Sequence, residues 1–157
     1  MAINRTQTDA ANLHAIFQGE VVYKSPLFQR HYVWNDKQIN VLWDDIDTVL
    51  EESNLTAFLG AVVLKAFQTR SASQPQGYWI IDGQQRLTTF YLLIVAATYR
   101  IYQLEDNETA GDWVSAYLLQ KQSKFKNQPK IWPTIPDLGQ FKEILRLNYS
   151  SCKFNCW

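Results

Sequence analysis

Residues 81–89 read IDGQQRLTT and join the apolar run YWII (78–81) to the apolar run FYLLIVAA (90–97). A short apolar run ending in Asp82-Gly83 reads as a buried strand, YWIID. The longer run behind it reads as a helix from Gln84 to about Gln103. Gly83 allows the positive φ that a sharp strand-to-helix turn needs. The helix then opens with N–H groups around Gln84 to Leu87 that have no intrahelical acceptor, and the dipole favours an anion there. Arg86 adds a planar fork suited to phosphate. Asp82 can hold a metal ion or orient a water, Gln84 and Gln85 can face a sugar, base or water, and Thr88 and Thr89 add hydroxyls one turn on. Together these make a cradle for a phosphate-bearing ligand. The same letters also spell a capping box, with Asp82 as cap and Gln85 reaching back. That reading leaves Arg86 and the other Gln unexplained, and both readings stand at this point.

The rest of the chain sets the frame. Its 157 residues suit one domain with a core, and 46% hydrophobic with 14% aromatic residues argue for a packed one. Fifteen basic residues balance fifteen acidic ones. A domain gripping nucleic acid through many phosphates usually carries a basic excess, so strong autonomous DNA binding is disfavoured. No apolar run reaches the roughly 18 residues of a membrane span. The N-terminal MAINRTQTDAAN lacks the apolar core of a secretory signal. The expectation is a cytoplasmic protein with no membrane partner. Cys152 and Cys156 stand near the end as CKFNC, far in sequence from His14 and His31. A zinc site would need two more ligands, so they read as free thiols.

Along the chain, TDAANLHAIF reads as a short helix capped by Thr8 or Asp9, and Glu20 to Lys24 as a strand. Residues 25–34, SPLFQRHYVW, are irregular. The next segment, capped by Asn35 or Asp36, is an amphipathic helix with Ile39, Leu42, Trp43, Ile46, Val49 and Leu50 at helical spacing. Trp43 is read as core, and the acidic opposite face as solvated. AFLGAVVLKAF is a strand with a bulge at Gly60, and 69–77 a polar loop. LEDNETAGD is a turn region, WVSAYLLQKQSKF a further helix, and KNQPKIWPTIPD extended because three prolines exclude helix. A last helix follows Asp137, its cap. The class is α+β, with a single domain over 1–147 and an irregular tail over 148–157.

A second polar group, FQRHYVW (28–34), puts an Arg among aromatics, which either stacks on a base, holds a phosphate or packs over the core. SPLFQRHYVW, WDDI on a helix, and IDGQQRLTTFYLL, in this order, resemble the N-terminal domain of GmrSD-type modification-dependent restriction endonucleases. The similarity runs from about Leu13 to Leu93 and continues more weakly through PKIWPTIPDLGQFKEIL. The resemblance implies a ParB/sulfiredoxin-like fold, a small mixed sheet flanked by helices. It implies that Asp82, Gly83, Gln84, Gln85 and Arg86 belong to a motif for nucleoside triphosphate binding and hydrolysis, with Mg²⁺. Gln29, Arg30, Tyr32 and Trp34 fall on the family's second motif, expected beside the same pocket, and Trp43, Asp45 and Ile46 on its acidic helix motif. In such systems the nucleotide event is coupled to recognition of modified DNA, often phage DNA.

The expected assignments are therefore Asp82, Gln85 and Arg86 as catalytic residues. Gln29, Arg30, Asp82, Gly83, Gln84, Arg86 and Thr88 bind nucleotide, and Asp45 is a metal ligand. Family members that cut DNA carry a C-terminal His-Asn-His-type nuclease domain; here no His follows His31. This chain is expected not to cleave DNA by itself. The nuclease is expected in a missing C-terminal region or on a partner chain. The family's helical middle region is also missing, which is expected to weaken hydrolysis. No GxxxxGK[ST] motif exists, so P-loop chemistry is excluded. KQSKFKNQPK (121–130) puts Lys121, Lys124, Lys126 and Lys130 around a Phe, as a nucleic-acid contact or as solvated surface. His31 is a loop residue or a proton shuttle, and His14 a packing residue. Two rival functions remain: a switch that binds nucleotide or DNA without turnover, and an interaction platform in which DGQQR only caps a helix.

Overall fold

Gly83 adopts φ +83°, and there the chain passes from strand β3 (Gln76–Asp82) straight into the 20-residue helix α3 (Gln84–Gln103). The structure is a computed structural model and describes residues 9–52, 56, 58–68, 74–121 and 126–149. Helix α3 buries Leu87, Tyr91, Val95 and Thr98, the i, i+4, i+8, i+11 stripe of an amphipathic helix. Tyr91 is fully buried at the centre of the core. Its ring meets Phe17 and Phe141, and its hydroxyl donates to the Leu118 carbonyl at 2.8 Å.

The sheet has four strands in the order β2-β3-β1-β4, with β1 at Val21–Lys24, β2 at Val63–Gln68 and β4 at Ile131–Trp132. β1 runs parallel to β3 and β4, while β2 and β3 are antiparallel. The sheet is therefore mixed, and the class is α+β. The remaining helices are α1 (Leu13–Phe17), α2 (Asp36–Glu51), α4 (Asn107–Trp113) and α5 (Leu138–Tyr149). Of the two candidate caps, Asn35 caps helix α2, and with Gln38 it forms a capping box. Lys37 N–H donates to Asn35 Oδ1 at 3.0 Å and Asn35 N–H donates to Gln38 Oε1 at 3.1 Å.

Several expectations are corrected. Helix α1 begins later than expected, because Asn12 and not Thr8 or Asp9 caps it. Strand β2 begins at Val63, and Gly60 lies before it with φ +95°. Strand β3 is not buried throughout: Ile80 is, while Trp79 and Ile81 alternate outward. The turn expected at 104–112 contains α4, capped by Asp106, whose Oδ1 accepts the Thr109 N–H. The helix expected after Trp113 is a π-helical turn, Val114–Leu118, ended by the bridge of Leu119 to Pro129. The apolar stripe of α2 buries only Leu42, and Trp43 is 50% exposed. Periodicity marks an apolar side; it does not guarantee that anything covers it. Asp137 Oδ2 accepts hydrogen bonds from the Tyr32 N–H and the Thr134 hydroxyl. His14 is exposed rather than in the core, and its ring meets Tyr117 edge-on with Nδ1 2.8 Å from the hydroxyl.

Candidate ligand site at the start of helix α3

Strands β1 and β3 run parallel, so both carboxyl ends face the same edge of the sheet. In open sheets of this kind, ligands bind outside those ends. Two segments meet there: the start of α3 after β3, and the loop 25–34 after β1.

Four hydrogen bonds tie them together. Gln29 Nε2 donates to the Ile81 carbonyl at 2.8 Å. Gln85 Oε1 accepts the Val33 N–H at 2.7 Å, and its Nε2 donates to the His31 carbonyl at 3.0 Å. The Tyr32 and Thr89 hydroxyls lie 2.8 Å apart, and Thr89 donates to the Gln85 carbonyl at 2.8 Å. So Gln29, Tyr32 and Val33 are fixed on residues 81–89 across about fifty residues of chain.

The capping box is therefore not formed. Gln85 faces the loop, and Gly83, not Asp82, is the N-cap, with no side-chain cap. Asp82 Oδ1 instead accepts the Gly83 N–H at 2.7 Å. The first backbone bond of the helix is Leu87 N–H to Gly83 O at 2.9 Å. The N–H groups of Gln84, Gln85 and Arg86 precede it and have no place in the helix ladder. Gly83 also allows a close approach. A Cβ there would stand 2.9 Å from Ala61 O and 3.0 Å from Val62 Cγ2.

Arg86 reaches the same segment. Its Nη1 donates to Ala61 O at 3.1 Å, and its guanidinium covers Gly60. One donor of the fork is thus taken, and four remain. Sequence reasoning missed Gly60 and Ala61 as the seat of Arg86. The signal present was a glycine inside an apolar run, read as a bulge.

The least expected feature lies one turn deep. Gln84 is 4% exposed, and neither its Oε1 nor its Nε2 has a hydrogen-bond partner. Thr88 is also 4% exposed, and its Oγ1 has none. These residues are i and i+4 on α3, so they stand on one face, roughly 5–6 Å apart. Native proteins leave few buried polar atoms unpaired, because each costs about 1–3 kcal/mol. A third orphan, Ser25 Oγ, belongs to the residue that follows β1.

The other expected site residues are dispersed. Arg30 is exposed and makes no hydrogen bond or ion pair with the described residues. His31 is exposed, with Nδ1 3.3 Å from the Tyr32 carbonyl. Asp45 is exposed on α2, with no hydrogen bond to Asp82 or Arg86. Among the described residues no three His, Cys, Asp or Glu side chains gather as a metal site. Lys121 and Lys126 are exposed, and Lys124, Cys152 and Cys156 lie outside the described residues. Lys130 is not part of a surface patch. It is 1% exposed and donates to the carbonyls of Phe17 at 2.8 Å and Ala116 at 2.6 Å. Burial lowers its pKa to about 8, against the Glu20 carboxylate, which raises it. Among the described residues no helix is long and apolar enough to cross a membrane.

Residues 13–155 match the family model described as GmrSD restriction endonuclease, N-terminal domain. No curated protein matches the chain.

Proposed function

The chain belongs to the family of GmrSD restriction endonuclease N-terminal domains, a defence-related role, and from that premise we propose that it binds a nucleoside triphosphate with Mg²⁺ at the start of α3. The observation that carries this reading is the pair of buried, unpartnered side chains, Gln84 and Thr88. Their amide and hydroxyl supply a donor and acceptors that nothing among the described residues uses. Beside them stand the N–H groups of Gln84 to Arg86, a positive helix end and the Arg86 guanidinium. This donor set fits a phosphate-bearing ligand with a neutral polar portion. The architecture is compatible with the ParB/sulfiredoxin type, which we propose as its fold.

In this reading Arg86 and the α3 N–H groups hold phosphate oxygens. Gln84 and Thr88 bond the ligand at depth. Gln29 closes the site from the loop, and exposed Arg30 of the same loop turns onto the phosphates in the bound state. Bound Mg²⁺ would neutralise phosphate charge, and in this reading the Asp82 carboxylate would hold it or an attacking water. Hydrolysis of such a ligand depends mainly on positioning and charge stabilisation. Gln85 serves as a positioning residue, since both ends of its amide are engaged by the loop. The nucleotide event is coupled to recognition of modified DNA, with cleavage by a nuclease outside these residues.

The test is calorimetric titration of the chain with each nucleoside triphosphate and Mg²⁺, beside Arg86→Ala and Gln84→Leu. Binding by wild type that both folded variants lose supports the site. A phosphate-release assay then separates an enzyme from a switch. Binding that Gln84→Leu retains unchanged removes the central observation from the argument.

A further inference from the structure

The pairing register puts one residue from each strand on a single rung: Trp132 on β4, Lys24 on β1, Trp79 on β3 and Lys65 on β2. Side chains alternate along a strand, so this rung faces away from Tyr23, Tyr78 and Ile80, which pack in the core. Indole and ammonium thus alternate across the full width of the sheet. Phe67 joins them, its ring 4.8 Å from that of Trp79, and Lys24 Nζ lies 5.5 Å from the Phe67 centroid. Trp79 and Phe67 are each 36% exposed. A cavity of about 40 Å³ opens between Lys24, Phe67, Trp132 and Pro129. The segment that Pro129 closes by pairing with Leu119 carries exposed Lys121 and Lys126. The acidic residue sharing the β1 face, Glu20, has one carboxylate oxygen on the Lys121 N–H.

We propose that this outer sheet face binds single-stranded nucleic acid. Bases stack on Trp79 and Phe67, and Lys24, Lys65, Lys121 and Lys126 hold phosphates. Aromatic platforms interleaved with cations are the general solution for unpaired strands, because every base has a π-face and every link a phosphate. A duplex hides its base faces and offers this surface only charge. An apolar protein partner would use the rings but would have to desolvate the ammonium groups between them. The face is separate from the α3 site, and the proposal does not depend on the nucleotide reading.

The test uses the whole chain without nucleoside triphosphate. Fluorescence anisotropy is read with labelled oligo-dT, oligo-U and a duplex of equal length, at low and at physiological salt. Wild type is expected to bind the single strands at least tenfold more tightly than the duplex. Affinity should fall with salt, and Trp79 fluorescence should be quenched. Trp79→Ala should weaken binding about tenfold, and Lys65→Glu by a similar factor with a shallower salt slope. Circular dichroism confirms that both remain folded. Preference for oligo-dT over oligo-U, or the reverse, supports the proposal, and oligo-dU beside them names the sugar. Binding neither single strand overturns it, as does equal duplex affinity or a Trp79→Ala variant that binds like wild type.

Discussion

The Arg86 guanidinium occupies the space where residue 60 would carry a side chain. A Cβ built on Gly60 would stand 2.4 Å from Arg86 Cζ and 2.7 Å from each terminal nitrogen. Gly60 also has φ +95°, a conformation that side chains rarely adopt. Gly60→Ala is therefore expected to cost about 1–3 kcal/mol in urea unfolding. It should also weaken nucleotide binding as Arg86→Ala does, because the fork must leave its seat. Lost stability with intact binding would show that Arg86 acts from elsewhere.

Gln84→Leu and Thr88→Val remove buried polar atoms that have no partner. Each change is expected to stabilise the free chain by about 1–2 kcal/mol, the cost of leaving such a group unsatisfied. Both should weaken or abolish ligand binding. A gain in urea midpoint together with lost calorimetric heat is the signature of a site retained at the expense of stability.

Gln85→Ala removes both bonds to the loop and orphans the Val33 N–H. The expected cost is about 1–3 kcal/mol. Hydrogen exchange at Val33 should accelerate well before the amides of α3. Uniform acceleration across the chain would mean that the loop is not a separate unit.

Lys130 links stability to pH. Burial lowers its amine from 10.5 to about 8, Glu20 opposes that shift and Lys121 adds to it. Below pH 8 the amine is charged in both folded and unfolded chains, and the cost of burying the charge is fully present. Between pH 8 and 10.5 the unfolded chain holds a proton that the folded chain has released, so stability rises with pH. Burial raises the Tyr23 phenol above its usual value, which opposes this trend above pH 10. Urea unfolding of wild type and Lys130→Met from pH 7 to 9.5 measures the effect. Stability of wild type relative to the variant should climb by at most about 1.4 kcal/mol per unit.

Local features were legible in the sequence. Gly83 announced the strand-to-helix turn, Asn35, one of two candidate caps, announced the start of α2, and the prolines excluded helix around Ile131. What failed depended on distant partners. The capping-box alternative for Gln85 could not be dismissed from sequence because its acceptor and donor, His31 and Val33, are over fifty positions away. Trp43 read as core because a periodic stripe does not say what covers it. Lys130 read as surface because it closes a run of lysines, although Pro129 and Ile131 on either side were signs of a buried strand edge. The orphaned pair Gln84 and Thr88 has no sequence signature at all, since an unmet hydrogen bond is visible only once the neighbours are known.

Strand β1 is the interior strand next to β4, and Tyr23 waits for Ile131 to arrive from the other end of the chain. Chains of such high contact order fold slowly, because a long loop must close before the pairing stabilises anything. During synthesis, at roughly 5–20 residues per second, the nascent sheet spends roughly 5–20 s with that edge of β1 unpaired. An open edge is a template for other strands. Folding yield of this protein should therefore depend on what shields its N-terminal third at the ribosome.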